Sequence, residues 1–336
     1  MKKDRKKLAR VIATWLVTSV MLFVFVTDMI VIAVGNSYVN RYDVKKDAPD
    51  TNYSDDKIHF LNTGNSDCII IESNGKLALI DSGEGNKNPR KKTRYEGFEE
   101  DVINYILSFA DKKTGTVVFD FVLGTHVHYD HVGGFEAIFS REDISAKKVY
   151  LKEYNSEEST DMESEDWGNK KTYENILSLL KERKIPVISD LPEEEFTFGD
   201  FTLRFLNTTT PKELLNRGEN ANSVGILLEK KGKTAFLASD FTRTCGLEQI
   251  YVNDIGDVDL LKIGHHGYYG TSSAFLRQIK PEIAICTNFA GKMYPNVKWN
   301  LTAVSKSAIF YTDNRDGMIA YFTDDGEILL TSHIMK

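Results

Sequence analysis

Cysteine is scarce in this 336-residue chain: Cys68, Cys245 and Cys286 are the only three, far apart and without a CxxC pair. That excludes a disulfide scaffold and a cysteine zinc site, and leaves the thiols as small buried hydrophobes. Proline is sparse too, at 7 residues against 23 glycines. With 41% hydrophobic and 27% charged residues the composition is that of a globular protein, so disordered, collagenous and coiled-coil readings are excluded. Net positive charge is lacking: the formal charge is −7, which rules out a globally basic nucleic-acid binder but not a local basic patch. There is no internal repeat, no Ser-His-Asp arrangement and no phosphate-cradling glycine loop. No cysteine precedes Cys68, so a lipoprotein anchor is not expected.

What charge there is lies unevenly. Residues 1–10 carry +5, residues 11–35 carry only Asp28, and residues 36–336 carry −11. The run 11–35 (VIATWLVTSVMLFVFVTDMIVIAVG) is 25 residues with one charge, and at ~1.5 Å per residue it exceeds the ~30 Å hydrocarbon core of a bilayer. A signal peptide has a shorter apolar core, of about 7–15 residues. The reading is an uncleaved transmembrane signal anchor; a cleaved signal with Ala33-Val34-Gly35 at its end and a buried core helix are the alternatives. Asp28 costs on the order of 3 kcal/mol at mid-membrane, which favours a place near the outer interface. The basic residues 1–10 then form a cytoplasmic tail, and residues beyond about 36 lie outside. Residues 36–56, polar and aperiodic with Pro49, read as a linker. A single-pass protein of the cell membrane with an extracytoplasmic domain over 57–336 is expected.

That domain alternates strand-like runs (58–62, 68–73, 76–80, 116–124, 194–199, 201–206, 223–229, 234–239, 258–263, 282–286, 317–322, 326–331) with helical patterns near 98–110, 171–184 and 272–279. Tight turns such as Ser73-Asn74-Gly75, Phe198-Gly199-Asp200 and Lys231-Gly232-Lys233 close hairpins, which a purely parallel sheet forbids. Two mixed β-sheets with outer helices, an α/β (α+β) architecture, are therefore predicted. The stretch 153–166 holds seven acids and no base and reads as a solvated loop.

After the run 116–124 comes Thr125-His126-Val127-His128-Tyr129-Asp130-His131-Val132-Gly133-Gly134, with three of the chain's seven histidines within six residues. His126 and His128, two apart in extended chain, point the same way and can share a cation, while Asp130 and His131 face a neighbouring position. Imidazole with carboxylate suits zinc, and also manganese or iron. Two later strands deliver Asp240 and the pair His265-His266 at their C-terminal tips, and KLALI at 76–80 leads into Asp81. Reactive groups at strand ends are held by a rigid sheet.

These motifs resemble those of the metallo-β-lactamase superfamily: HxHxDH after a strand, preceded by LIDSG and followed by ASD and HHG. The resemblance covers roughly residues 57–332. The chain is similar, within that superfamily, to the extracellular hydrolase domain of ComEC-type competence proteins, on Asn222-Ser223, LKIGHHG with Thr271-Ser272-Ser273, Lys280-Pro281-Glu282 and IFYTDNRDG at 309–317. The fold this implies is an αβ/βα sandwich with a dinuclear site at the sheet edges. Carried over residue by residue, His126, His128 and His265 hold one ion, Asp130 and His131 the other, and Asp240 bridges; Asp81 orients ligand imidazoles. His266 either protonates a leaving group or orients a ligand. Three departures bear on this. No histidine lies between His131 and Asp240, which removes a ligand of true β-lactamases and makes antibiotic hydrolysis unexpected. Tyr268 stands where the subgroup has serine, and Met293-Tyr294-Pro295 where it has His-Pro, so the second ion is expected to be weakly held or completed by water. The multi-span channel region of ComEC proteins is not matched, so DNA uptake is not carried over.

The implied activity is that of a metal-dependent hydrolase in which water between two divalent ions, its pKa lowered from ~15.7 to about 7, is the nucleophile. A phosphodiesterase or nuclease acting on an anionic substrate, DNA or an envelope polymer, is the first expectation. An esterase or lactonase, and a degenerate metal-binding module, are the others. The segment 87–94 (KNPRKKTR) places five bases in eight positions just after Asp81-Ser82-Gly83, as a candidate polyanion contact or a solvated linker.

Overall fold

Runs such as Ile69-Ile70-Ile71 and Ala78-Leu79-Ile80 are apolar at every position, as strands covered on both faces must be, and every one of these residues is buried. The computed structural model describes residues 2–46, 56–90, 97–157 and 159–335. Helix α1 (Lys2–Val39) leads into β1 (Lys57–Phe60), β2 (Ile69–Ser73), β3 (Lys76–Ile80), α2 (Glu99–Leu107), β4 (Val117–Phe119), β5 (Phe121–Gly124), α3 (Tyr129–Val132), α4 (Phe135–Phe139), β6 (Ile144–Ala146), β7 (Val149–Leu151), α5 (Asn169–Glu182) and β8 (Val187–Ile188). The second half holds β9 (Phe196–Phe198), β10 (Phe201–Leu206), β11 (Gly225–Lys230), β12 (Lys233–Leu237), α6 (Leu247–Ile255), β13 (Leu260–Lys262), α7 (Ser273–Ile279), β14 (Ile283–Cys286), α8 (Pro295–Asn300), β15 (Ala308–Tyr311), β16 (Met318–Phe322) and β17 (Ile328–Ser332).

Two mixed sheets result. One runs β17-β16-β1-β2-β3-β5-β7-β8, antiparallel up to β3 and parallel beyond. The other runs β15-β14-β13-β12-β11-β10-β9, parallel from β15 to β12 and antiparallel beyond. Alternate residues face one another across a shared core: Ile58, Phe60, Ile69 and Ile71 from the first sheet meet Phe201, Leu203, Ile226 and Leu228 from the second. The opposite faces carry helices, with Val102, Phe135 and Ile176 of α2, α4 and α5 on one sheet and Leu247, Leu276 and Val297 of α6, α7 and α8 on the other. This is the predicted αβ/βα sandwich.

Three expectations differ from what is seen. The run 116–124 is not one strand: it breaks at Asp120, which exchanges backbone and side-chain bonds with Leu77, so β4 pairs with β6 in a separate small sheet while β5 enters the main one. The acidic stretch 153–166 is not wholly solvated, because Glu163 is buried and opens a π-helical turn, Glu163–Trp167. The expected linker is not free over its described part. Helix α1 continues past residue 35 to Val39, Tyr38, Val39, Tyr42 and Val44 pack against the shared core, and Lys45 bridges to Thr331. Upstream, the apolar face of α1 is bare, Trp15 being 69% and Phe23 72% exposed, so it is not the core helix of this domain.

Candidate metal centre

The local chain explains how the polar groups meet. Beyond β5 the segment Thr125–His128 runs extended into α3, which presents Asp130 and His131. After β12 the chain turns at Ser239 with φ 44°, and after β13 at His265 and His266 with φ 49° and 50°; Asp81, after β3, has φ 56°. Non-glycine residues in this left-handed region are costly and persist where the surroundings hold them. Gly264 is required by close approach, since a Cβ there would stand 2.2 Å from the Phe241 carbonyl oxygen.

Hydrogen bonding fixes which nitrogen of each imidazole points inward. The Asp81 carboxylate accepts from the Thr125 backbone N–H at 2.8 Å, from the Thr125 hydroxyl at 2.7 Å and from His131 Nδ1 at 2.7 Å. The Thr125 proton being spent on Asp81, the contact at 3.2 Å to His126 Nδ1 has the imidazole as donor. His128 Nε2 donates to Glu163 at 2.8 Å. His266 Nδ1 lies 3.3 Å from both Thr287 Oγ1 and Asp67 Oδ1, and Thr287 itself donates to Asp67. With those nitrogens turned outward, His126 Nε2, His128 Nδ1, His131 Nε2 and His266 Nε2 all face inward.

These nitrogens gather about Asp240. Its Oδ1 is 3.2 Å from His131 Nε2 and 3.5 Å from His266 Nε2, while its Oδ2 is 3.7 Å from His126 Nε2, which faces His128 Nδ1 at 3.1 Å. All of these side chains are buried, and among the described residues no hydrogen-bond partner reaches His131 Nε2, His266 Nε2 or Asp240 Oδ1. Burial lowers the His126 pKa well below its ordinary value, with His131 and His128 adding to the effect. For His131 burial acts the same way, but the carboxylates of Asp240 and Asp81 overcome it and raise the value well above the ordinary one. A proton on His131 answers one of the inward nitrogens; the whole donor set fits divalent cations.

The sequence-derived residues thus meet, with distinctions. His126, His128, His131 and Asp240 are central. His266 joins them, whereas the His265 side chain is 24% exposed, with Nε2 3.7 Å from Asp240 Oδ2 and 3.2 Å from Asn220 Nδ2. Asp130 Oδ2 lies 3.7 Å from His266 Nε2 and its Oδ1 3.5 Å from Arg90 Nη1. Arg90 is itself buried in a bidentate pair with Glu84, so this base of the segment 87–94 is not free to meet a substrate; Lys91, Lys92 and Arg94 lie outside the described residues.

Three buried groups were not found by sequence reasoning. Asp67 lies at the start of β2, not at a strand's end, with its carboxylate near the Nδ1 atoms of His131 (3.8 Å) and His266, behind the inward faces. Lys262 Nζ binds Asp67 and the Ser239 carbonyl, at 2.9 Å for the latter. Glu163, hidden in an acidic run, is held by His128, Thr160 and the Glu219 N–H; burial works to raise its pKa, but His128 and Thr160 bring it down to about 2. Beside His265, Tyr268, Tyr269 and Tyr294 cluster with ring centroids about 5 Å apart, bringing together two positions where the chain departs from the subgroup pattern.

The sequence pattern of the metallo-beta-lactamase superfamily matches residues 61–286, more than half the chain. Recombination protein 2 of Haemophilus influenzae is 31% identical over 80 residues, which are 24% of this chain and 10% of that protein, so the chain spans about a tenth of the length of that curated relative. Among solved structures, the metallo-beta-lactamase fold protein YhfI from Bacillus subtilis is 12% identical, with 78% of this chain and 98% of that one covered at a TM-score of 0.47. Human tRNase Z, short form, is 14% identical over 68% of this chain and 91% of its own, at a TM-score of 0.38. The chain belongs to the metallo-beta-lactamase superfamily, which includes metal-dependent hydrolases.

Proposed function

We propose that the chain is a membrane-anchored phosphodiesterase or nuclease, its hydrolase domain outside the cell membrane and its centre loaded with two divalent ions. The observation that carries the metal-dependent part is the gathering of four inward-facing imidazole nitrogens about Asp240, three of them within 3.7 Å of its oxygens and the fourth, His128 Nδ1, against His126 Nε2. In this assignment His131, His266 and Asp130 serve one ion, His126 and His128 the other, and Asp240 faces both. His265, at the edge of the cluster, completes the second set or meets the substrate. Divalent ions there supply Lewis acidity and an activated water. The chain's own groups do the rest: Asp81, Asp67 and Glu163 fix the imidazoles, and buried walls exclude bulk water from the Asp240 side. Zinc suits the donors, as do manganese and iron.

The phosphodiester reading draws on the relative named Recombination protein 2. The anchor reading draws on the bare apolar helix and the basic residues 2–10 before it. Full-length protein in detergent, supplied with Zn²⁺ or Mn²⁺, is to be assayed on bis-p-nitrophenyl phosphate, single-stranded DNA and p-nitrophenyl acetate. Metal-dependent turnover of the first two, abolished by chelator, is expected; turnover of the acetate alone would replace the phosphodiesterase reading with an esterase.

A further inference from the structure

The membrane anchor and the hydrolase domain are not separate bodies joined by slack chain. We infer that the edge of the domain formed by α8 and the π-helical turn after it, Leu301–Ser305, rests in the lipid headgroup layer, holding the mouth of the metal centre close to the membrane surface. This rests on the anchor reading above.

The first observation is where the domain begins to cover α1. Along Val11–Ile30 the helix is exposed nearly throughout, only Thr27 being partly covered. Val31 is 8% exposed, and Val34, Gly35 and Tyr38 continue the covered stripe at helical spacing. Twenty residues at ~1.5 Å span ~30 Å, so the bare stretch alone fills the hydrocarbon core and the covered stretch starts at its boundary. Asp28 then sits at that boundary, where an acid is tolerated.

The second observation is what lies at that level. A Cβ on Gly35 would stand 3.6 Å from Thr302 Oγ1, so the helix passes against the turn 301–305. One helical turn before Thr302 is Trp299, 45% exposed, with Lys298 beside it and Lys306 exposed just after the turn. Farther from the bare stretch, beyond the end of α1, Arg41, Lys45 and Lys46 are exposed with Asp43 among them. An exposed tryptophan next to a partly exposed lysine, with a second lysine exposed just past the turn, is the composition of a membrane-interface contact. It stands out in a region, 36–336, whose formal charge is −11 and which anionic headgroups otherwise repel.

The consequence concerns the site. Tyr294, in the tyrosine cluster beside His265, immediately precedes α8, and Trp299 lies near the other end of that six-residue helix. At ~1.5 Å per residue the five steps from Tyr294 to Trp299 span roughly 8 Å. Substrate therefore meets the centre next to the bilayer, not in free solution.

The test uses full-length protein in vesicles of phosphatidylcholine and phosphatidylglycerol, with and without lipids brominated near the headgroup end of the acyl chain. Trp15→Phe with Trp167→Phe leaves Trp299 as the one fluorophore, and Trp167→Phe with Trp299→Phe leaves Trp15. Quenching of both is expected. Quenching of Trp15 with none of Trp299 overturns the docked edge and leaves the anchor standing; failure to quench Trp15 overturns the anchor reading, and this inference with it. Because Trp167 packs against His128, a second variant keeps wild-type tryptophans: Ala303→Cys, exposed where the native cysteines are buried, labelled with an environment-sensitive dye. Emission in vesicles blue-shifted from that of the free dye in water supports the contact, and emission equal to that of the free dye in water contradicts it.

Discussion

At the scale of single residues, the centre is defined as much by what holds the imidazoles as by the imidazoles. Glu163 gives His128 its tautomer just as Asp81 gives His131 its own. Removing such a partner typically costs about 10–100-fold in metal affinity or activity. Glu163→Ala is predicted to lose metal affinity or turnover in that range while Glu163→Gln, which keeps an acceptor for His128 Nε2, retains most of it. Equal behaviour of the two, measured by metal titration and by turnover of bis-p-nitrophenyl phosphate, would place Glu163 outside the machinery. This scale also shows what was legible in the sequence. The histidines, Asp130, Asp240 and Asp81 are readable because they sit in short motifs at strand ends: spacing suggests the shared position of His126 and His128, and the resemblance to the superfamily adds Asp81, Asp240 and the later histidines. Asp67 enters at the beginning of a strand, Lys262 reads as an ordinary lysine between apolar neighbours, and Glu163 lies in a run of acids whose pattern signals solvent. Nothing local marks these three, since their burial depends on chain that returns from elsewhere. The choice between His265 and His266 was likewise closed to sequence, because two adjacent left-handed residues send neighbouring side chains in directions no periodicity anticipates.

At the scale of elements, apolar runs bounded by turn residues located most strands, and the hairpin turns correctly implied mixed sheets. Besides the break at Asp120 and the buried turn at Glu163, sequence misjudged where α1 ends. Its polar end, read as the start of a linker, packs along β15, an edge strand whose open side needs cover. Tyr42 meets Phe310 edge-on at 5.9 Å, and Val39 and Val44 join the same core. A soluble fragment beginning at residue 57 is therefore predicted to be less stable than one beginning at residue 36. The partly buried side chains lost are worth on the order of 2 kcal/mol, a drop of several degrees in Tm by thermal unfolding of the two metal-loaded fragments. Identical melting would mean that the contacts of α1 with the domain contribute nothing.

At the scale of the whole molecule, two sheets bring four strand ends to one edge. The end of the apolar helix and the residues just after it pack along the edge strand of the second sheet, so on the proposed anchor reading the fold itself sets where the site stands relative to the bilayer. The proposed chemistry depends on cations sitting where four imidazole nitrogens and the Asp240 carboxylate come together. The most direct measurement is elemental analysis of the full-length protein purified without chelator, beside Asp240→Asn. The wild type is predicted to carry roughly one to two divalent ions per chain, as two-metal hydrolytic sites do. Asp240→Asn, which takes the charge from the group facing both positions, should retain little of either ion; equal metal content in the two proteins, or none in the wild type after incubation with Zn²⁺ and Mn²⁺, would contradict the account.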